Sequence, residues 1–387
     1  MFRNHRSLLV FVFLPGFAAM AQAQTPDTPS GGPSPAAALT PQAAPVAADP
    51  GPLHFWGTDF SFLLDGYLDG NFNTPASGLN QLRAFDVRSD TAHLNMGMIS
   101  IDRAPAPIGF HLDAGFGEMF DIIHAGTRDP RGWNYIKQAY VSLKPKALHG
   151  VEIDVGEFVT SAGAEVIETN QNYNYSRSLL FTFAIPYSHT GVRVQYGLGS
   201  HFTGSVQVVN GWNNVEPINR GKTLGFSGAY AWKKVTWSNT DYVGPEHPGT
   251  TRGWRNLYDS SLAVNQTDNL TWYLNFDYGR DKNIGAGANI WAGVAGAARY
   301  AIGKKSAVAM RLEYFDDGNG FATGTAQAVK EYTLTQEYKL TDWLLSRAEF
   351  RADWSNQPFF EKNGQPNASK TQPTVMLGLV ACLAPKK

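Results

Sequence analysis

From about residue 55 to its last residues, the chain reads as roughly sixteen short segments in which apolar and polar residues alternate, none long enough for a membrane-crossing helix. The segment LTWYLNFDY carries the period most plainly. Leu270, Trp272, Leu274, Phe276 and Tyr278 share one face, while Thr271, Tyr273, Asn275 and Asp277 share the other. The same period of two runs through FHLDAGF, VEIDVG, VRVQYGL, AVAMRLEYF and LLSRAEFRADW. One face suits lipid and the other water, as in a transmembrane β-barrel. A soluble sandwich also alternates, so this reading needs independent support.

The connectors supply it. Strands are expected near 55–69, 92–101, 109–118, 135–144, 151–159, 189–198, 202–211, 223–232, 235–243, 256–264, 270–278, 291–302, 306–315, 329–339, 343–354 and 374–383. With the first strand running outward, every second connector is short: DRAPAP, PKALH, GS, KK, NQTDN, GKK and LTD. The intervening ones, 70–91, 119–134, 160–188, 212–222, 244–255, 279–290, 316–328 and 355–373, are longer. Short periplasmic turns alternating with long extracellular loops are expected of an outer-membrane barrel and have no reason to arise in a soluble sandwich. The expected fold is therefore all-β, a transmembrane antiparallel up-and-down β-barrel of about sixteen strands. A barrel of about eight strands fills with its own side chains, whereas one of about sixteen encloses an aqueous lumen.

Composition agrees. The chain is 13% aromatic and 17% charged with 39 glycines, aromatic-rich and charge-poor for a soluble domain. Its single cysteine, Cys382, allows no intramolecular disulfide and no cysteine metal cluster. Arg3, His5 and Arg6 precede the apolar stretch LLVFVFLPGF and the small-x-small site Ala21-Gln22-Ala23, so residues 1–23 are expected to be a signal peptide. Residues 24–52, rich in proline and alanine, lack the apolar surface to fold and read as a disordered periplasmic linker. The barrel then occupies 53–387, as an integral protein of the bacterial outer membrane. With 32 basic against 33 acidic residues, and Arg3 and Arg6 lost on processing, the chain has no basic footprint for nucleic acid.

One connector departs from the rest. Residues 160–188, TSAGAEVIETNQNYNYSRSLLFTFAIPYS, are longer and more apolar than an exposed tip should be. Leu179, Leu180, Phe181, Phe183, Ala184 and Ile185 are unfavourable in water at about 25 cal/mol per Å² of apolar area. This third extracellular loop is therefore expected to fold inward and narrow the channel. Glu165, Glu168, Tyr173, Tyr175 and Arg177, with His189 just beyond, are its candidate constriction residues. Two compatible readings stand: these groups act on passing ions and solutes, or they pair with wall charges to pin the loop.

The run GEFVTSAGAEVIETNQNYNYSRSLLFTFAIPYSHTGVRVQY, residues 156–196, resembles the beta-barrel porin-2 (OmpL-like) outer-membrane family, above all in GEFVTSAGAEVIE, YSRS and FAIPYSHTGV. The resemblance extends more loosely over residues 53–387, including Val209-Asn210-Gly211-Trp212 and the two-residue turn between Trp232 and Val235. It implies an outer-membrane porin-like channel and brings no catalytic residues. The ending TVMLGLVACLAPKK departs from the terminal aromatic that outer-membrane strands usually offer the assembly machinery, although Gly378 keeps part of that pattern.

Taking the apolar parity of each strand as lipid-facing, the lumen-facing set includes Asp113, Glu152, Asp154, Asp277, Glu313, Glu331, Glu337, Glu349 and Asp353 with Arg193, Arg299, Arg311, Arg347 and Arg351. Both signs are present with acids in excess, which favours polar solutes and a mild cation preference. Phe55, Trp56, Trp212, Trp232, Trp237, Trp272, Trp343 and Trp354 suit interfacial girdles. The expected function is passive diffusion of small polar solutes and ions through a water-filled lumen, without catalysis. The expected partners are outer-membrane lipids, lipopolysaccharide and the assembly machinery, with a homotrimer left open. The rival is a non-conducting structural or adhesin barrel that uses its long loops. A hydrolase would need Ser188 and His189 aligned, yet neighbours on a strand point to opposite faces. The scattered histidines form no metal motif, and no cofactor motif is present.

Overall fold

The computed structural model of the protein describes residues 53–125, 130 and 132–385. The expected signal peptide and linker lie outside the described residues. Sixteen antiparallel strands form the wall: β1 (Thr58–Asn71), β2 (Ala92–Arg103), β3 (Ile108–Phe116), β4 (Ile136–Leu143), β5 (Glu152–Val159), β6 (Ser188–Leu198), β7 (Phe202–Val209) and β8 (Thr223–Trp232). The circuit continues through β9 (Val235–Pro245), β10 (Trp254–Asn265), β11 (Leu270–Lys282), β12 (Ala288–Ala301), β13 (Ser306–Asp317), β14 (Gln327–Lys339), β15 (Leu344–Ser355) and β16 (Thr371–Leu383). Each strand pairs with the next in sequence. β16 returns to β1, with Thr374 opposite Asn71 and Leu383 opposite Phe62. Closure leaves no free edge, which a sheet in lipid requires because every backbone group must be bonded internally.

Alternation becomes sidedness as the sequence demands. On β11, Leu274, Phe276 and Tyr278 are exposed on the outer surface, while Tyr273, Asn275 and Asp277 are buried inside. Val294, Leu312, Leu334, Phe350 and Leu377 continue the exposed apolar belt. Trp56, Trp232, Trp237 and Trp343 are exposed at the end of the wall that carries the short turns, and Trp354 at the other, matching the girdle expectation. Trp212 does not. It lies on the fourth loop with its ring 6.2 Å from that of Trp291 and under the Arg255 guanidinium, because its connector folds back over the barrel mouth.

The long and short connectors alternate as expected, with one difference. The sixth long connector shrinks to 283–287, because β11 runs on to Lys282 and β12 begins at Ala288. Asp281 and Trp291 extend the inward-facing rows there. Gly279 allows this, since a Cβ at that position would lie 1.8 Å from the Trp291 ring. The second loop carries a short helix, α1 (Glu118–Ile123), whose Met119, Phe120 and Ile123 are buried. A register shift at Asp65/Gly66 on β1 leaves Asn95 of β2 as an extra residue, turned inward and fully buried.

Candidate functional site

The third loop, residues 160–187 between β5 and β6, lies inside the barrel. Its apolar residues Ala162, Ile167, Leu179, Leu180, Phe181, Ala184 and Ile185 are buried, which removes the hydrophobic cost that an exposed loop would carry. The wall makes room with small inward residues. A Cβ on Gly293 would lie 2.7 Å from Leu180 Cδ1, and a short π-helical turn, Leu180–Ala184, passes there. Trp291 Nε1 donates to the Ala184 carbonyl at 3.1 Å. Across the barrel, Gly378 of β16 lets the Tyr175 ring lie against the wall, where a Cβ would come within 2.3 Å. Gly378 keeps part of the terminal-strand pattern, and packing against Tyr175 gives it a second reason to be glycine.

The loop is held as a bound peptide is held, by its backbone. Glu349 accepts from the backbone N–H groups of Tyr175 at 2.7 Å and Ser176 at 3.0 Å. Glu313 accepts from Leu179 N–H at 2.8 Å. Arg347 donates to the carbonyls of Thr169, Asn172 and Asn174 at 2.6, 2.6 and 3.0 Å, and Arg351 to that of Arg177 at 2.6 Å. Alternating Arg and Glu on β13 to β15 thus match carbonyls and amides in turn. A charged partner makes each such bond stronger than a neutral one. On the far side, Ser161 N–H donates to Tyr242 Oη at 3.1 Å and Ala164 N–H to Asn275 Oδ1 at 3.3 Å.

The six constriction candidates fall into distinct roles. Glu165 pairs with Arg311 at 2.7 Å and accepts from Tyr273 Oη and Ser178 N–H. Glu168 pairs with the buried Lys137. Tyr173 packs 5.5 Å from the Tyr273 ring. Tyr175 Oη donates to Asp65 Oδ1 at 2.6 Å, and burial, reinforced by that carboxylate, pushes its phenol well above its ordinary pKa. Arg177 donates into its own loop, to the carbonyls of Val166, Tyr175 and Ile167. It also lies 5.3 Å over the Phe85 ring. His189, the second residue of β6, is fully buried, with Nδ1 2.9 Å from the Gly211 carbonyl and its ring 4.3 Å from that of Tyr242. Ser188 Oγ donates to Glu157 instead, so the two neighbours look to different partners.

The inward set points inward as its parity requires, but loop 3 and ion pairs cover it. Arg193 pairs with Asp154 at 2.9 Å. Arg311 pairs with Glu313 at 3.0 Å and Glu331 at 3.3 Å. Arg347 and Arg299 share Glu337, Arg351 pairs with Asp353 at 2.9 Å, and Lys137 with Asp113 at 2.7 Å. Asp277 is buried facing Asp259, with no basic side chain against it. Around mid-height the strands turn buried residues inward, except β8, whose buried Thr223 and Gly225 lie toward its loop end while Ser227 and Ala229 are half-buried. Loop 3 lies on top of many of these charges, which therefore bond to the loop and to one another. Glu152, next to Lys144 Nζ at 3.2 Å, and Arg299 stay partly exposed toward the periplasmic end.

Sequence reasoning missed the polar residues that meet the loop from β1. Asp65 accepts from Tyr175 Oη, from Thr169 Oγ1 at 2.5 Å and from Asn95 Nδ2 at 2.9 Å. Its parity with Leu63 and Tyr67 was readable; the bulge that aims Asn95 at it was not. Arg83 and Asp86 of the first loop were missed as well. Arg83 bridges Asp86 at 3.4 Å and Asp353 at 3.1 Å, and burial, opposed by that guanidinium, raises the Asp86 carboxyl to about 6.

The architecture has solved counterparts. The anion-selective porin of Comamonas acidovorans is 10% identical, covers 84% of this chain and 99% of its own, and superposes with a TM-score of 0.58. OprB of Pseudomonas putida is 13% identical over 84% of this chain and 94% of its own, at 0.56. The outer-membrane channel DcaP of Acinetobacter baumannii is 13% identical over 85% and 97%, at 0.54. No curated protein matches the sequence. At these identities the likeness shows the fold alone, a closed sixteen-strand barrel of the porin type. The family model described as "Putative beta-barrel porin-2, OmpL-like" matches residues 57–383, and the chain belongs to that family.

Proposed function

We propose that the protein is a diffusion channel for small polar solutes and ions across the outer membrane, with loop 3 setting the width and selectivity of the path. The observation that carries this is the loop itself, drawn through a closed sixteen-strand wall and bonded to it through Glu313, Arg347, Glu349 and Arg351. Glu165, Glu168, Tyr173, Tyr175, Arg177 and His189 act here by fixing the loop's path. The acid excess of the inward set gives a mild cation preference. The partners on this reading are outer-membrane lipids and lipopolysaccharide around the apolar belt, the assembly machinery, and solutes, as a monomer or homotrimer. Residues 1–23 act as the signal peptide and 24–52 as the periplasmic linker. No catalysis enters this reading, because Ser188 and His189 bond elsewhere.

The test is single-channel recording of the purified barrel in a planar bilayer under a salt gradient. Current with a reversal potential on the cation side is expected; an anion-side potential contradicts the selectivity. The second reading, a non-conducting structural or adhesin barrel, draws on the buried mid-barrel. Correctly folded protein that passes no current, with or without loop 3, supports it.

A further inference from the structure

Asp259 of β10 and Asp277 of β11 stand opposite each other in the register, point inward and are 1% and 0% exposed. Asn275 Nδ2 donates to Asp259 Oδ2 at 2.7 Å. The two carboxyls face each other within hydrogen-bonding reach, and the Gly163 backbone N–H also lies against Asp259. No other donor reaches Asp277 or Asp259 Oδ1, and the hydroxyl of fully buried Ser261, the next inward residue on β10, has no partner. The nearby guanidiniums are engaged elsewhere, Arg255 by Asp281 and Arg311 by Glu165, Glu313 and Glu331. Among the described residues no basic side chain pairs with either aspartate. Thr240 sits beside Asp259 on β9, and Gly293 beside Asp277 on β12. Loop 3 roofs this row: Thr240 Oγ1 donates to the Ser161 carbonyl at 3.0 Å, Ala164 N–H to Asn275, and Leu180 covers Gly293.

Two facing carboxylates without a counterion are costly to bury. A proton shared between them would neutralise one charge and leave oxygens unmatched. A divalent cation matches both charges and bonds hard oxygen donors of this kind, carboxylate and hydroxyl. We propose that Asp259 and Asp277 form a calcium-type cation site inside the barrel, with the hydroxyls of Ser261 and Thr240 at its rim. The ion joins β10 to β11 beneath the start of loop 3. The proposal stands whether or not the barrel conducts.

The test uses the full-length folded barrel, stripped with chelator and dialysed to equilibrium against radioactive Ca²⁺ at neutral pH. One ion per chain is expected. Asp277→Asn and Asp259→Asn each weaken binding at least tenfold, while Glu361→Gln, on the eighth loop, leaves it unchanged. Fewer than one saturably bound ion per wild-type chain, or undiminished affinity in Asp277→Asn, overturns the proposal in favour of a proton-sharing pair. Should either variant fail to fold, the wild-type thermal midpoint decides: it rises with Ca²⁺ concentration if the site exists, and a flat response overturns it.

Discussion

Arg347 Nη2 donates to the carbonyl oxygen of Asn172 at 2.6 Å, joining the wall strand β15 to a loop residue 175 positions away in sequence. The same guanidinium reaches the Thr169 and Asn174 carbonyls and pairs with Glu337. Arg347→Ala removes all of these at once and leaves loop carbonyls and Glu337 short of a partner. Breaking a buried charged contact costs roughly 3–5 kcal/mol. The variant should unfold at lower urea and admit protease cuts within 165–175. Arg347→Lys should fall between, since an ammonium keeps the charge but not the planar fork. Wild-type protection in Arg347→Ala would refute the anchoring role.

Gly378 predicts a steric rescue. Gly378→Leu places side-chain atoms where the Tyr175 ring lies, so loop 3 should leave the β16 wall, and overpacking of this kind costs about 1–3 kcal/mol. Adding Tyr175→Ala should recover most of the loss. A double variant no more stable than Gly378→Leu alone would show that the ring is not what Gly378 accommodates.

The buried first-loop carboxylate predicts a pH dependence. Asp86 has its folded pKa raised to about 6 from 3.8, so the folded state holds this proton more tightly than the unfolded chain. Its contribution is present in full below about pH 4 and is lost as pH rises through about 6, a span of order 3 kcal/mol. The stability difference between Asp86→Asn and wild type should therefore shift in favour of the variant across that window. A difference that stays constant from pH 4 to 7 would contradict the assignment.

Lipid exposure of the apolar belt predicts a depth profile. Leu274→Arg, midway along β11 with Leu274 half-exposed, should cost about 2–4 kcal/mol in a bilayer. Leu383→Arg at the strand end should cost about 0–1 kcal/mol. Equal costs at the two depths, measured by unfolding from liposomes, would argue against a membrane spanned at this height.

The wall was legible in the sequence because strand parity and connector length are local signals. Sixteen segments from Phe55 to Leu383 predicted sixteen strands, and the apolar run Leu179 to Ile185 predicted a loop that needs cover. The partners of loop 3 were not legible, because they depend on register and on closure between distant strands. Nothing around Glu349 announces that it accepts the amides of Tyr175 and Ser176, and Arg177 reads as a lumen charge until its carbonyl acceptors are seen in its own loop. Asp65 escaped notice because its environment is completed by the bulge at Asn95. The short sixth loop escaped because the glycines around 285 resemble a longer loop until the Gly279–Trp291 contact shows the strands continuing.

The central claim is that loop 3 occupies and governs the channel. Its most direct measurement is planar-bilayer conductance of wild type beside a variant lacking residues 165–185. A small wild-type conductance that rises several-fold on deletion is the predicted result, because the loop covers inward charges from β1 to β15. Equal conductance in the two proteins, each folded by its heat-resistant migration, would contradict it.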